Sequence, residues 1–282
     1  MNRKKMRWRA ILPSMVLSVI VAGCVNQTVR DEPVSTLTGA SERLVGYLPA
    51  AELPNSLTLV PPPPPPDSSA LALDEDISRR SFSLRDTPRW ALAISDADLS
   101  FPHAAATFAC ALNAPVSEAD TPRLYRLLRR TLSDVGGSTR AAKDHYKRVR
   151  PFVRNNQPLC TPNDQSWLVK DGSYPSGHTA IGWGWALILA EISPEQTNAI
   201  LLRGRSFGES RNVCNVHWHS DVVQGRNVAA GAVARLHAAP EFLADLEAAK
   251  AEIAAVRGKG LKPNRDCAAE DAALLVQPSL AQ

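Results

Sequence analysis

From Asp74 onward the chain repeats one pattern: apolar residues, chiefly Ala and Leu, recur at intervals of three and four, and β-branched alternation is scarce. The spacing predicts helices over about 74–84, 88–96, 101–112, 121–135 and 139–148, and again over 178–192, 194–208, 219–237 and 240–256. Pro122 fits a first-turn position behind Thr121 as N-cap. Gly136-Gly137 reads as that helix's stop, and Pro151 as the next boundary. Pro194 and Pro240 each stand where a new helix would open. The 178–192 segment is apolar on nearly every side, with Ile181, Trp183, Trp185, Leu187, Ile188 and Leu189. Too short to span a membrane, it is expected to be the central buried helix of a bundle. The fold class is therefore all-α. Residues 152–174 lack periodicity and hold Pro158, Pro162 and Gly172, which reads as a long loop of the kind that carries function. The pocket walls are expected from this loop and the N-terminal helices. Pro61–Pro66 is an unbroken proline run, expected as a stiff extended strap lying on the body.

The N-terminus changes the picture. Arg3, Lys4, Lys5, Arg7 and Arg9 precede an apolar run from Ala10 to Ala22, which reads as a secretory leader over 1–23. It ends in Val21-Ala22-Gly23-Cys24, which resembles a bacterial lipoprotein box with Cys24 as the lipidated residue. Residues 24–45 read as a polar tether, 46–258 as the single helical domain, and 259–282 as a C-terminal tail. The formal net charge is +4, but removing the leader's five positive charges leaves −1, so there is no basic footprint for nucleic acid. Apart from Cys24 the cysteines are Cys110, Cys160, Cys214 and Cys267. In an exported chain these can form two disulfides in any of three connectivities, or stay as buried thiols. None sits at zinc-ligand spacing.

Three clusters carry the chemistry. Lys143 and Arg150 lie seven apart, two helical turns, and could project from one face; alone, such basic residues would be a solvated surface. Gly172-Ser173-Tyr174-Pro175-Ser176-Gly177-His178-Thr179 places a tight turn before the apolar helix. The N–H groups of Ser176, Gly177 and His178 would face an anion at a helix N-terminus. The bland alternative makes Ser176 an N-cap and His178 a surface residue. Ser210-Arg211 precedes His217, and Asp221 follows it by four, so that the carboxylate can accept the imidazole N–H, fix its tautomer and leave the other nitrogen nucleophilic. His219 points elsewhere and reads as structural or as part of a rim. His217, His219 and Asp221 are also metal-ligand types, but neighbouring Arg and Lys side chains would repel a cation. The inventory suits gripping a phosphate and moving its phosphoryl group through a histidine.

Lys143-x6-Arg150-Pro151, Pro175-Ser176-Gly177-His178 and Ser210-Arg211-x5-His217-x3-Asp221 together resemble the tripartite signature of the type 2 phosphatidic acid phosphatase superfamily, and the octapeptide Gly172–Thr179 is similar to that of bacterial class A non-specific acid phosphatases. The segment Gly204–Arg211 and the Tyr47–Pro66 region also resemble that group, and the likeness runs over about 46–250. The resemblance implies an all-α fold with the site at helix ends, no metal or other cofactor, and acidic activity on varied phosphate monoesters, with phosphotransfer as a side reaction. It makes His217 the nucleophile that becomes a phosphohistidine, Asp221 its orienting partner and His178 the general acid and base. Lys143, Arg150, Ser176, Gly177 and Arg211 would hold the phosphate oxygens. It implies a periplasmic enzyme, tethered if Cys24 is lipidated and otherwise soluble or secreted, and homo-oligomers of two or more. Three alternatives stand beside it: a lipid or polyprenyl phosphate phosphatase, a vanadate-dependent haloperoxidase, and a non-enzymatic phosphate-binding or structural lipoprotein.

Overall fold

The computed structural model describes residues 45–276. The leader, Cys24, the tether to residue 44 and the last residues of the tail lie outside the described residues. Within them every regular element is helical and none is a strand. The longer helices are α1 (Ser69–Ser81), α2 (Pro88–Ser95), α3 (Pro122–Ser138), α4 (Arg140–Tyr146), α5 (Gly177–Ile192), α6 (Thr197–Val213), α7 (His219–Leu236), α8 (Pro240–Gly258) and α9 (Cys267–Leu275). The described residues belong to one compact unit. No described helix is long and apolar enough to cross a membrane.

The apolar helix is the axis of the bundle, as its composition requires. α5 packs against α6, α7 and α3, and α8 covers α3 and α5. Trp185, Ala186, Ile188 and Leu189 are fully buried. The one polar atom of Trp185 is satisfied, because its indole N–H donates to the Leu128 carbonyl at 3.0 Å. α5 and α6 approach so closely that a Cβ at Gly204 would lie 2.4 Å from Ala186 Cβ.

Several boundaries differ from the sequence reading, each for a physical reason. Thr121 does not cap α3: its hydroxyl is turned back to the Ser117 backbone, and the Glu252 carboxylate on α8 accepts from Arg123 and Leu124 N–H at 3.1 and 2.9 Å. Gly136-Gly137 does not stop α3, which runs on to Ser138. These glycines serve close packing, since a Cβ at Gly137 would meet Leu53 Cδ1 at 2.9 Å and one at Gly136 would meet Ile181 at 3.3 Å. The 101–112 segment is a 3₁₀ turn, Ala104–Phe108, followed by Ala109–Leu112, and it ends on Asn113 in the left-handed region (φ 51°). The 152–174 loop contains the short helices Pro151–Asn155 and Gln165–Leu168, too brief for periodicity to register.

The tail is not structureless either. Asp266 caps α9 by accepting from Ala269 N–H at 3.0 Å, and Cys267 is bonded to Cys110. Glu270 on α9 is buried beside Arg203 and Arg265. A disulfide and buried ion pairs, rather than an apolar stripe, hold this helix, which is why its sequence gives no periodic signal. The second disulfide joins Cys160 to Cys214.

Gly204→Ala is expected to destabilise the fold by about 1–3 kcal/mol, because the overpacked methyl outweighs the gain in helix propensity. Urea denaturation checks this; an unchanged or raised midpoint would contradict the close α5–α6 contact.

Candidate active site

The cationic pair is assembled by helix ends. α4 stops at Tyr146, Lys147 takes the left-handed conformation (φ 43°), and Arg150 stands as extended N-cap to Pro151–Asn155. Lys143 and Arg150 therefore do not share a helical face, contrary to their spacing. They converge on a carboxylate instead. Asp171 Oδ2 accepts from Lys143 Nζ at 3.2 Å and from Arg150 Nη2 at 2.9 Å, and Asp171 Oδ1 accepts from Arg140 at 3.1 Å. The Arg150 Nε–H donates to the Leu168 and Asp171 carbonyls, and Nη1 to the Val216 carbonyl at 2.9 Å. Both side chains are almost entirely buried.

The octapeptide does form a turn into α5, with Ser176 as N-cap. The Ser176 oxygen accepts from Thr179 N–H at 3.2 Å and from the Thr179 hydroxyl at 2.9 Å. Its own N–H donates to the Asp221 carbonyl at 3.0 Å. Of the three expected backbone donors, Ser176 is thus already committed to stitching α5 to α7. His178 Nε2 donates to the Ala97 carbonyl at 3.0 Å, which fixes the ring and assigns the Nε2 proton.

His217 precedes α7, so its pairing with Asp221 is not a helical i,i+4 contact. Asp221 is the third residue of α7, and its Oδ2 accepts from the Trp218 N–H at 2.8 Å. That capping bond aims the carboxylate back at His217 Nδ1, 3.3 Å away. On the other side of the ring, Arg150 Nη1 lies 3.1 Å from Nε2. A guanidinium only donates, so Nε2 must accept and the ring proton must sit on Nδ1, facing Asp221. The tautomer is thereby set with its lone pair on Nε2.

Lys143, Arg150, Gly177, His178, Arg211 and His217 line one cavity of about 160 Å³, together with Asp171, Trp167 and Ile181. Asp221 and Ser176 stand behind it, both fully buried. Arg211 has two buried guanidinium nitrogens, Nε and Nη1, without a protein partner. The 152–174 loop does supply part of the wall, through Trp167, Leu168 and Asp171, whereas the remainder comes from α3–α6, from Arg150 and from His217 ahead of α7, and not from the N-terminal helices. A larger cavity, about 490 Å³, takes His219, Arg89 and Glu209 among its walls and holds none of this cluster. Among the described residues, no three His, Cys, Asp or Glu side chains are placed to hold a metal ion.

Residues 129–242 match the PAP2 superfamily model. The chain is 44% identical over 212 residues to the non-specific acid phosphatase of Providencia stuartii, a match covering 75% of this chain and 86% of that protein. It is 41% identical over 261 residues to the acid phosphatase of Zymomonas mobilis, covering 91% and 94%, and 40% identical over 204 residues to the non-specific acid phosphatase of Salmonella typhimurium, covering 72% and 81%. The chain belongs to the bacterial non-specific acid phosphatases of the PAP2 superfamily. The resemblance read from the three motifs is thereby met.

Within this family member the electrostatics of the pocket are dominated by burial and like charge. Burial, then Arg150, pushes Lys143 down to about 8, opposed by Asp171. Burial and Arg150 also disfavour the charge on Arg211. His217 is driven well below the ordinary histidine range by burial, Arg150, Lys143 and Arg211. His178 is driven down as well, by burial and Arg211, against the pull of the Ala97 carbonyl. Arg150 and Arg211 disfavour the protonated form of both rings, and Lys143 adds to this at His217, so the protein groups alone do not divide the two histidines into one protonated and one neutral.

Sequence reasoning missed Asp171, Arg148, Asp74 and Trp167. Asp171 adjoins the octapeptide and could have been noticed as the one acid there. Asp74 and Arg148 have no motif signal, because their relation to Asp221 exists only in the fold.

Inorganic phosphate at a hundred times its Kd is expected to stabilise the protein by about 2.7 kcal/mol. Arg211→Met is expected to cut that gain by about half or more, because a charge-assisted hydrogen bond to the anion is lost. Thermal unfolding with and without phosphate measures both; an equal gain in the variant would remove Arg211 from the anion site.

Proposed function

We propose that the chain is an exported acid phosphatase that hydrolyses a broad range of phosphate monoesters through a phosphohistidine on His217. The observation that supports this most is the locked tautomer of His217, whose Nε2 lone pair stands among three buried cations. The exposed Trp167 and the buried Ile181 add apolar surface to the lining, which suits varied leaving groups without selecting one. The named relatives favour the monoester reading over the lipid-phosphate, haloperoxidase and non-enzymatic alternatives.

In this reading a phosphate dianion is gripped by Lys143, Arg150, Arg211 and the Gly177 N–H, with the Ser176 hydroxyl proton as a further donor. Arg150 Nη1 transfers its hydrogen bond from His217 Nε2 to a phosphate oxygen, exposing the lone pair. Nε2 then attacks phosphorus, the P–O ester bond breaks, and its electron pair leaves on the ester oxygen. His178 supplies the proton to that oxygen. Its Nε2–H is held by Ala97, so Nδ1 is the nitrogen that carries the exchanging proton. The dianion supplies the missing asymmetry, since its charge favours a protonated His178. Water then attacks phosphorus, His178 takes its proton, the N–P bond breaks and the pair returns to His217. Asp221 stabilises the imidazolium character that develops on His217. An alcohol in place of water would give a new monoester, the phosphotransferase side reaction.

The acidic preference follows from sign. A histidine pushed well below its ordinary range stays a neutral nucleophile in acid. Lys143, pushed down to about 8, loses its charge as pH rises through that value, so the grip on phosphate weakens on the alkaline side.

His217→Ala is expected to lower kcat on an aryl phosphate by about a thousandfold or more, and a chelator to leave the native enzyme active. Rapid acid-free quenching with labelled substrate should place phosphate on the native protein and not on the variant. Substantial turnover by the variant refutes the nucleophile. His178→Ala is expected to slow the first step, read as the pre-steady-state burst of released alcohol, by about 10²–10⁴-fold with an alkyl phosphate, but much less with p-nitrophenyl phosphate, whose leaving group needs no proton.

The two disulfides fit an oxidising compartment, and the leader with Cys24 supports a periplasmic enzyme tethered by lipid. Labelled palmitate should enter the native chain, and Cys24→Ser should abolish incorporation; equal labelling would rule out Cys24 as the lipidated residue, and no labelling of the native chain would leave only a soluble or secreted form.

A further inference from the structure

Behind Asp221 lies a layer of buried ion pairs that the phosphoryl-transfer scheme does not use. Asp221 Oδ1 accepts from Arg148 Nη1 at 2.6 Å. Arg148 Nη2 donates to Asp74 Oδ2 at 2.7 Å, and Nη1 also donates to the Ser220 hydroxyl oxygen at 2.7 Å. Asp74 accepts in addition from Ser220 N–H at 2.7 Å and from Ser220 Oγ–H at 2.6 Å. The exposures are 10% for the Arg148 side chain, 1% for Asp74 and none for Asp221. One guanidinium is forked between two buried carboxylates, with every lone pair it faces engaged.

We propose that Arg148 and Asp74 are positioning residues of the catalytic site: Arg148 fixes the Asp221 carboxylate behind His217 and offsets part of its charge, and Asp74 fixes Arg148. This rests on His217 being the nucleophile. Burying two carboxylates around one guanidinium is a poor way to gain stability, because desolvation offsets most of the attraction. The arrangement does fix geometry. Asp221 must accept from Nδ1 without drawing a proton onto the ring, and a carboxylate shared with a guanidinium is a weaker base than a bare one.

The groups facing His217 come from every side. Lys143 comes from α4, Arg150 from the start of Pro151–Asn155, and Asp171 from the loop. His178 comes from α5, Arg211 from α6 and Asp221 from α7. Among them Asp221 is the carboxylate hydrogen-bonded to the ring, and Asp171 is committed to Lys143 and Arg150. Asp221 is thus the carboxylate in direct contact with His217, and Arg148 is the group placed to temper its charge.

The proline strap acquires a role here. Asp74 lies on α1, which follows Pro61–Pro66. The strap is pinned where the Tyr174 hydroxyl donates to the Pro61 carbonyl at 2.5 Å, one residue before Pro175-Ser176. Pro63, Pro64 and Pro66 line, with Arg148 and Trp218, a cavity of about 230 Å³. A stiff segment thus holds α1, and with it Asp74, over Arg148.

The test compares pH profiles of kcat/KM on one aryl phosphate, so that ionisation of the substrate cancels. Arg148→Gln leaves Asp221 untempered, the His217 imidazolium gains stability, and the acid limb is expected to move up by roughly half a pH unit or more. Asp74→Asn removes a negative charge and keeps the shape, so the acid limb is expected to move down. Arg148→Lys keeps the charge and loses the fork: kcat falls about tenfold, as when the outer partner of a working histidine is removed, with the acid limb in place. Should Arg148→Gln not fold, a downward limb shift in Asp74→Asn together with the lowered kcat of Arg148→Lys supports the proposal, and an unmoved limb in Asp74→Asn overturns it. Opposite limb shifts, with His217→Ala inactive, support the proposal. Limbs unmoved in both charge-changing variants, with His217→Ala inactive, overturn it and leave the nucleophile standing. An active His217→Ala overturns both.

Discussion

The rest of the site depends on repulsion. Lys143, Arg150 and Arg211 are held almost wholly out of water around one small cavity, and the Asp171 carboxylate is shared by the first two. Arg211 keeps two buried nitrogens unpaired. Such an arrangement is costly for the folded chain and favourable for a small polyanion, because the anion relieves charge that the protein leaves unbalanced. The same field, added to burial, disfavours the protonated form of both histidines.

Helix ends, rather than helix faces, deliver these groups. Lys143 leaves the last turn of α4, Arg150 caps the next short helix, Gly177 and His178 open α5, Arg211 closes α6, and Asp221 sits in the first turn of α7. A helix end fixes a side chain through caps and backbone bonds that do not slide along the axis. The N–H of Ser176 on the Asp221 carbonyl and the N–H of Trp218 on the Asp221 carboxylate join two such ends directly. The bundle's long apolar helix supplies rigidity, and its polar terminus supplies function.

Much of this was legible in the chain. The all-round apolar character of 178–192 marked the axis, and the three motifs marked the lining of the pocket. What failed was local geometry. Seven residues between Lys143 and Arg150 suggested two helical turns, but Lys147 in the left-handed region breaks the helix, and Asp171 brings the two cations together instead. Four residues between His217 and Asp221 suggested a helical pair, but the pairing arises from a cap. Gly136-Gly137 looked like a stop because the reading weighed backbone freedom and could not see Leu53 and Ile181 pressing on the helix. Asp74 was invisible, since its value depends on Arg148, 74 residues away.

The disulfide between Cys110 and Cys267 spans 157 positions, whereas Cys160–Cys214 spans 54. The shorter loop closes between residues 160 and 214 and does not call on α9. The longer one must wait for nearly the whole polypeptide. Glu270, which α9 brings to Arg203, arrives with it. A chain cut short before residue 267 lacks both the covalent clasp to Cys110 and the acid that meets Arg203.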